Sequence, residues 1–146
     1  MLASVCSANV VGTTGRAVWV EVHVGDGLPG FTMVGLPDES CREARDRVRA
    51  AVLSSDLPWP NRRITVNFAP AGFRKNGIGL DLPLAVGILA ASEIIPADRV
   101  AQFCFVGELG LDGLLRRVAG VAPMVAAIRQ QHPELVAVVP PDSVEE

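Results

Sequence analysis

Apolar and polar residues alternate through the first third of the chain with the period of extended backbone. LASVCSANV (residues 2–10) alternates small and apolar side chains and predicts a first strand. Turn residues Gly12 to Gly15 follow, and AVWVEVHV (17–24), rich in valine, predicts a second strand. GDGLPG (25–30) is a turn and FTMVGL (31–36) a third strand, so a three-stranded meander is expected to open the fold. The period then changes. Cys41, Ala44, Val48, Ala51 and Val52 recur at helical spacing, with Arg42, Glu43, Arg45, Asp46 and Arg49 on the other side. Asp38, following Pro37, is the expected N-cap. The helix must stop before LPWPN, because Pro58 and Pro60 cannot continue it.

RRITVNFAP (62–70) predicts a fourth strand, leading into the glycine-containing loop AGFRKNGIG. Asp81 is expected to cap the next helix, with Pro83 tolerated in its first turn. LPLAVGILAAS is apolar nearly all round, the pattern of a helix buried on most sides. FCFVGEL (103–109) predicts another strand, and LLRRV (114–118) its return across a tight turn on Asp112–Gly113. A third helix spans 120–131, LVAVV (135–139) makes a last strand, and PPDSVEE opens a further element. Strands and helices in this order predict one α+β domain over 1–146, a mixed β-sheet packed with helices.

Composition supports a folded core: 49% of the 146 residues are hydrophobic and 20% charged. A net charge of −3 argues against a dedicated nucleic-acid module but leaves room for a local basic patch. Cys6, Cys41 and Cys104 are far apart, with no CxxC spacing, and are expected to be buried, reduced core residues. His23 and His132 lack a second ligand at metal spacing, so no metal is expected. The N-terminus lacks the pattern of a signal peptide, and the longest apolar run is about half of what a bilayer requires. A cytoplasmic location and no membrane partner are therefore expected.

Three ordered segments carry a family resemblance: GLPGFTMVGLPDESCREARDRVRAAV, NFAPAGFRKNGIGLDLPLAVGILAAS and FVGELGLDGLLRRVAGVAPMVAAI. Together they resemble the N-terminal domain of magnesium-chelatase-like AAA+ ATPases of the ComM/YifB type. The resemblance implies the fold of the Lon protease domain and of the second domain of ribosomal protein S-five, with a left-handed βαβ crossover. It also implies a ring-forming parent that hydrolyses ATP with magnesium and acts in DNA branch migration during natural transformation. Sister subunits and branched or single-stranded DNA are the partners it implies. The family pattern continues past PPDSVEE, so the domain is expected to be truncated before its last helix and strand, with the ATPase module absent from this chain.

A Lon-type peptidase needs a serine activated by a lysine. By the resemblance those two positions fall on Gly79 and Ala122, so no catalytic residue is expected and the chain is expected not to be an enzyme. Small-molecule kinases of the same fold class cradle phosphate with serines at a helix N-terminus; here Leu80 and Asp81 occupy those places, and an aspartate repels phosphate. No GxxxxGK[ST] run is present, so no cofactor is expected to bind this chain. Glu108, in the family's GEL motif, is expected to be structural.

Lys75 is the only lysine among the thirteen cations. Arg74 and Lys75 lie in a loop, while Arg116 and Arg117 are adjacent on a strand and must point to opposite faces. Arg74, Lys75 and one of Arg116 or Arg117 are the candidate nucleic-acid rim, against the plainer reading of solvated surface charge. The arginines between residues 42 and 49 alternate with Glu43 and Asp46, as on a solvent or subunit-contact face. Two other functions remain open: a degenerate peptidase relative that binds peptides or proteins, and an RNA- or ribosome-associated domain.

Overall fold

The computed structural model describes residues 1–70, 75 and 78–143. Two long strands, β1 (Leu2–Val11) and β2 (Thr14–Gly25), form an antiparallel hairpin, with Val5 opposite Val20. The edge strand β3 (Gly30–Val34) leads into helix α1 (Asp38–Ser54), which returns the chain to β4 (Arg63–Ala69). A 3-10 turn (Ile78–Leu80) opens helix α2 (Asp81–Ala91), and the short helix α3 (Ala97–Val100) follows. Next come β5 (Phe103–Phe105), the small hairpin of β6 (Glu108–Leu109) and β7 (Leu115–Arg116), helix α4 (Val121–Gln131) and β8 (Val136–Val138).

The main sheet has the order β3-β4-β2-β1-β5-β8. β1–β2 and β2–β4 are antiparallel, whereas β3–β4, β1–β5 and β5–β8 are parallel. The architecture is thus the expected mixed α+β sheet, but the opening meander is not formed. β4 lies between β2 and β3, and β3 pairs with it in parallel, Phe31 beside Ile64 and Met33 beside Val66. The reason is burial. Ile64, Val66 and Phe68 are at most 1% exposed, which only a central position provides, while β3 is half-buried and suits an edge.

Val18, Val20, Val22 and Val24 of β2 are fully buried on the face covered by α1 and α2. The apolar, all-round pattern of α2 is explained by its neighbours, since it packs on β1 and β2 and also against α1 and α3. Gly87 allows this approach: a Cβ there would lie 2.7 Å from Val22 Cγ2. On the other face, Cys6 and Ala8 of β1 pack with Met124 and Ile128 of α4 in a second cluster. Gly15 allows that contact, because an added Cβ would fall 2.3 Å from the Pro123 carbonyl oxygen. α4 covers only part of this face, and Ser4, His23, Arg63, Thr65 and Asn67 remain exposed.

Three other expectations are corrected, and one short helix was not foreseen. FCFVGEL is two strands, because β5 joins the main sheet whereas β6 pairs with β7. The α3 turn after Pro96 is too short to show a period. Asp38 and Asp81 are the first helical residues after Pro37 and Leu80, and neither helix has a side-chain cap. Cys41 is only half-buried, although Cys6 and Cys104 are core residues. The β6–β7 hairpin forms as expected around Asp112–Gly113. Asp112 Oδ1 accepts from the Leu114 amide at 3.0 Å, and Gly113 takes the positive φ of 86° that the turn demands.

Candidate functional site

Asp81 at the start of α2 has no solvent exposure. Instead of capping its helix, it accepts hydrogen bonds from Arg47 Nε at 2.7 Å and Nη2 at 3.0 Å, and from the Leu109 amide at 3.2 Å. One carboxylate therefore joins α1, α2 and the β6–β7 hairpin. Burial pushes its pKa above the ordinary carboxylate value, opposed by Arg47 and the Leu109 amide. The hydrogen bond to Asp81 raises the Arg47 pKa in turn. Sequence reasoning missed this pairing, because residues 47 and 81 lie on separate elements and only tertiary contact joins them.

Next to this junction, a pocket of about 280 Å³ is lined by Asn9, Gly79, Glu108, Arg117, Val118 and Met124. Gly79 is tied down by its carbonyl, which accepts from the Gly107 amide at 3.1 Å, while the Gly107 carbonyl accepts from the Leu82 amide. Among the described residues, a Cβ added at Gly79 would meet only the Val118 methyls, at 3.9 Å. Ala122 is exposed in the first turn of α4 and is not part of this lining.

The proposed rim residues are placed as follows. Arg74 lies outside the described residues. Lys75 is 4% exposed, and burial lowers its pKa. Arg116 sits opposite Glu108 in the hairpin register and leans over Gly110, whereas Arg117 lines the Gly79 pocket; both are exposed. The structure thus brings Arg117 to the pocket and directs Arg116 to the turn.

A second basic feature involves the α1 arginines, which the sequence suggested only as a solvent or subunit-contact face. Two adjoining concavities of about 250 and 420 Å³ run along α1 and the edge strand β3, sharing Phe31 and Arg45. Arg42, Arg45, Arg49 and Arg62 line them, and the rings of Phe31 and Trp59 stack at 5.9 Å with an interplanar angle of 16°. The i, i+3, i+7 spacing of residues 42, 45 and 49 was the available signal, hidden by the intervening acids.

Among the described residues no three His, Cys, Asp or Glu side chains cluster as metal ligands, and no helix is long and apolar enough to cross a membrane. Cys6 and Cys104 are register partners on the parallel strands β1 and β5, and both are free thiols.

The class to which this domain belongs is magnesium-chelatase-like: the model of the family described as Subunit ChlI of Mg-chelatase matches residues 20–143. The chain belongs to that family. It is 47% identical over 135 residues to Competence protein ComM of Haemophilus influenzae, which covers 92% of the chain and 26% of that protein. It is 43% identical over 137 residues to the uncharacterized protein YifB of Escherichia coli, covering 93% of the chain and 27% of that protein. Lon protease 2 of Bacillus subtilis matches at 32% over 75 residues, 51% of the chain and 13% of that protein. The chain thus spans about a quarter of the length of ComM and YifB. The resemblance carried by the three sequence segments holds.

Proposed function

We propose that this chain is a non-catalytic accessory domain of a ring-forming AAA+ ATPase that acts in DNA branch migration during natural transformation. The identity to a protein named Competence protein ComM, over nearly the whole chain, is the observation that carries this reading. The domain contributes ring assembly or a DNA contact, while ATP and magnesium belong to the parent protein's ATPase module. Of the proposed rim residues Arg74, Lys75 and one of Arg116 or Arg117, the exposed Arg116 and Arg117 are the ones able to meet a phosphate backbone, whereas Lys75 is 4% exposed. The fold is read as Lon-protease-like with a left-handed βαβ crossover; the parallel pairing of β3 and β4 across α1 is the βαβ unit that supports this reading. Binding to a branched DNA measured by fluorescence anisotropy tests the rim. Affinity that falls steeply with salt, and that the Arg116→Ala/Arg117→Ala variant weakens, is expected. Equal binding by that variant sinks the rim.

The Gly79 pocket favours a second reading, a degenerate peptidase relative that binds peptides. The similarity to Lon protease 2 over half of the chain supports it. Peptide-array binding that survives a pocket-filling Gly79→Leu substitution would rule it out.

A further inference from the structure

We infer that the trough between α1 and β3 is a binding site for single-stranded nucleic acid, in which a base stacks on Trp59 and phosphates lie on Arg45 and Arg49. This site is separate from the rim proposed above and shares no residue with it. Four arginines line the trough against two acids, Asp38 and Asp46, on a chain whose net charge is −3. The positive charge is therefore a local concentration and does not reflect the overall balance. Asp46 is engaged with Arg45 at 3.3 Å, and Arg62 with the fully exposed Asp26 at 3.0 Å. Among the described residues Arg42 and Arg49 have no ion-pair partner, and both are exposed.

The aromatic pair decides which polyanion fits. Trp59 stands between Pro58 and Pro60, which restrict its backbone, and Phe31 stacks on it, so the indole is held in place before any ligand arrives. Both rings are half-buried and border the concavity that Arg45, Arg49 and Arg62 line. Cationic grooves with fixed aromatic rings bind single strands, because every base offers a π-face and the backbone follows the charge. A duplex keeps its base faces inside its own stack and gains nothing from the indole. An acidic peptide would use the arginines alone.

Tryptophan fluorescence tests the site directly. The chain has two tryptophans, and Trp19 lies in the second core cluster with its ring edge-on to His132, so Trp19→Phe leaves Trp59 as the reporter. Titrating oligo(dT) into the full chain carrying Trp19→Phe should quench this signal. The log–log salt slope should be about −1.4, as for two phosphate contacts to a single strand. Arg45→Ala/Arg49→Ala should reduce that slope to near zero, and Trp59→Ala should weaken binding about ten-fold. Because Trp59 packs on the core, Trp59→Phe is the folded control and should retain most of the affinity, read by anisotropy of a labelled oligonucleotide. The two arginines are at the surface, so their variant remains informative even if Trp59→Ala does not fold. Unchanged fluorescence on adding oligo(dT), or full affinity in the double arginine variant, overturns the inference. So does displacement of oligo(dT) by polyglutamate of equal charge at equal concentration. Loss of binding in Arg116→Ala/Arg117→Ala with no change in Arg45→Ala/Arg49→Ala would support the rim and reject the trough.

Discussion

Arg47 and Asp81, separated by 34 residues, are joined by two hydrogen bonds of 2.7 and 3.0 Å that fix α1 to the start of α2. The carboxylate is fully buried and the guanidinium side chain 21% exposed. Removing Arg47 leaves the buried Asp81 charge without its partner, and removing Asp81 leaves Arg47 only the longer contact to Glu43 at 3.9 Å. Asp81→Ala is therefore expected to cost about 3 kcal/mol, measured by urea denaturation. Arg47→Ala should cost a similar amount, and the double variant less than the sum. Additive losses would show that the two residues act independently.

Gly87 brings α2 close enough to bury the valines of β2. With a Cβ only 2.7 Å from Val22 Cγ2 and 3.4 Å from Val5 Cγ2, Gly87→Ala must push α2 away from the sheet. The expected loss is about 1–3 kcal/mol despite alanine's better helix propensity. Val22→Ala should recover part of this by removing the clashing methyl. A stable Gly87→Ala protein would mean that α2 has room to move.

Gly79 makes no comparable demand. Its neighbours among the described residues leave ordinary contact distance for a Cβ, and its φ is not in the left-handed region. Gly79→Ser should melt within a few degrees of the wild type, a change below about 1 kcal/mol. A large drop in Tm would mean that the pocket wall requires glycine.

Cys41 is the half-exposed cysteine, and its Sγ donates to the Leu36 carbonyl at 3.6 Å. Burial, and then the Asp38 carboxylate, push its thiol above the ordinary value of 9.0. A raised pKa leaves less thiolate at any given pH, so iodoacetamide should modify Cys41 more slowly than a free thiol at pH 8. The rate should keep rising with pH beyond the point at which a free thiol levels off. Alkylation at neutral pH faster than that of glutathione would contradict the assignment. Cys6 and Cys104, 2% and 1% exposed, should react only after unfolding.

Much of the local structure was legible because its signal is local. Two-residue alternation along β2 and β4 reports which face is buried, and the all-round apolar pattern of α2 reports a helix enclosed by neighbours. Asp112–Gly113 marked its turn because a positive φ favours glycine there. The candidate sites were less legible. Arg74, Lys75, Arg116 and Arg117 were grouped by adjacency, yet adjacency does not report exposure, and Lys75 is buried.

The sequence by itself determined the α+β class, most of the elements, the composition of the core and the family. Only the tertiary structure decided that β3 pairs with β4, that Asp81 serves Arg47 and not its own helix, that Cys6 lies beside Cys104, and that Arg45 and Arg49 share a trough with Trp59. The division has a physical cause. Periodicity and turn chemistry are set by residues a few positions apart. Strand order, ion pairing and the shape of a surface depend on which distant segments bury one another, and that choice is made by the whole chain.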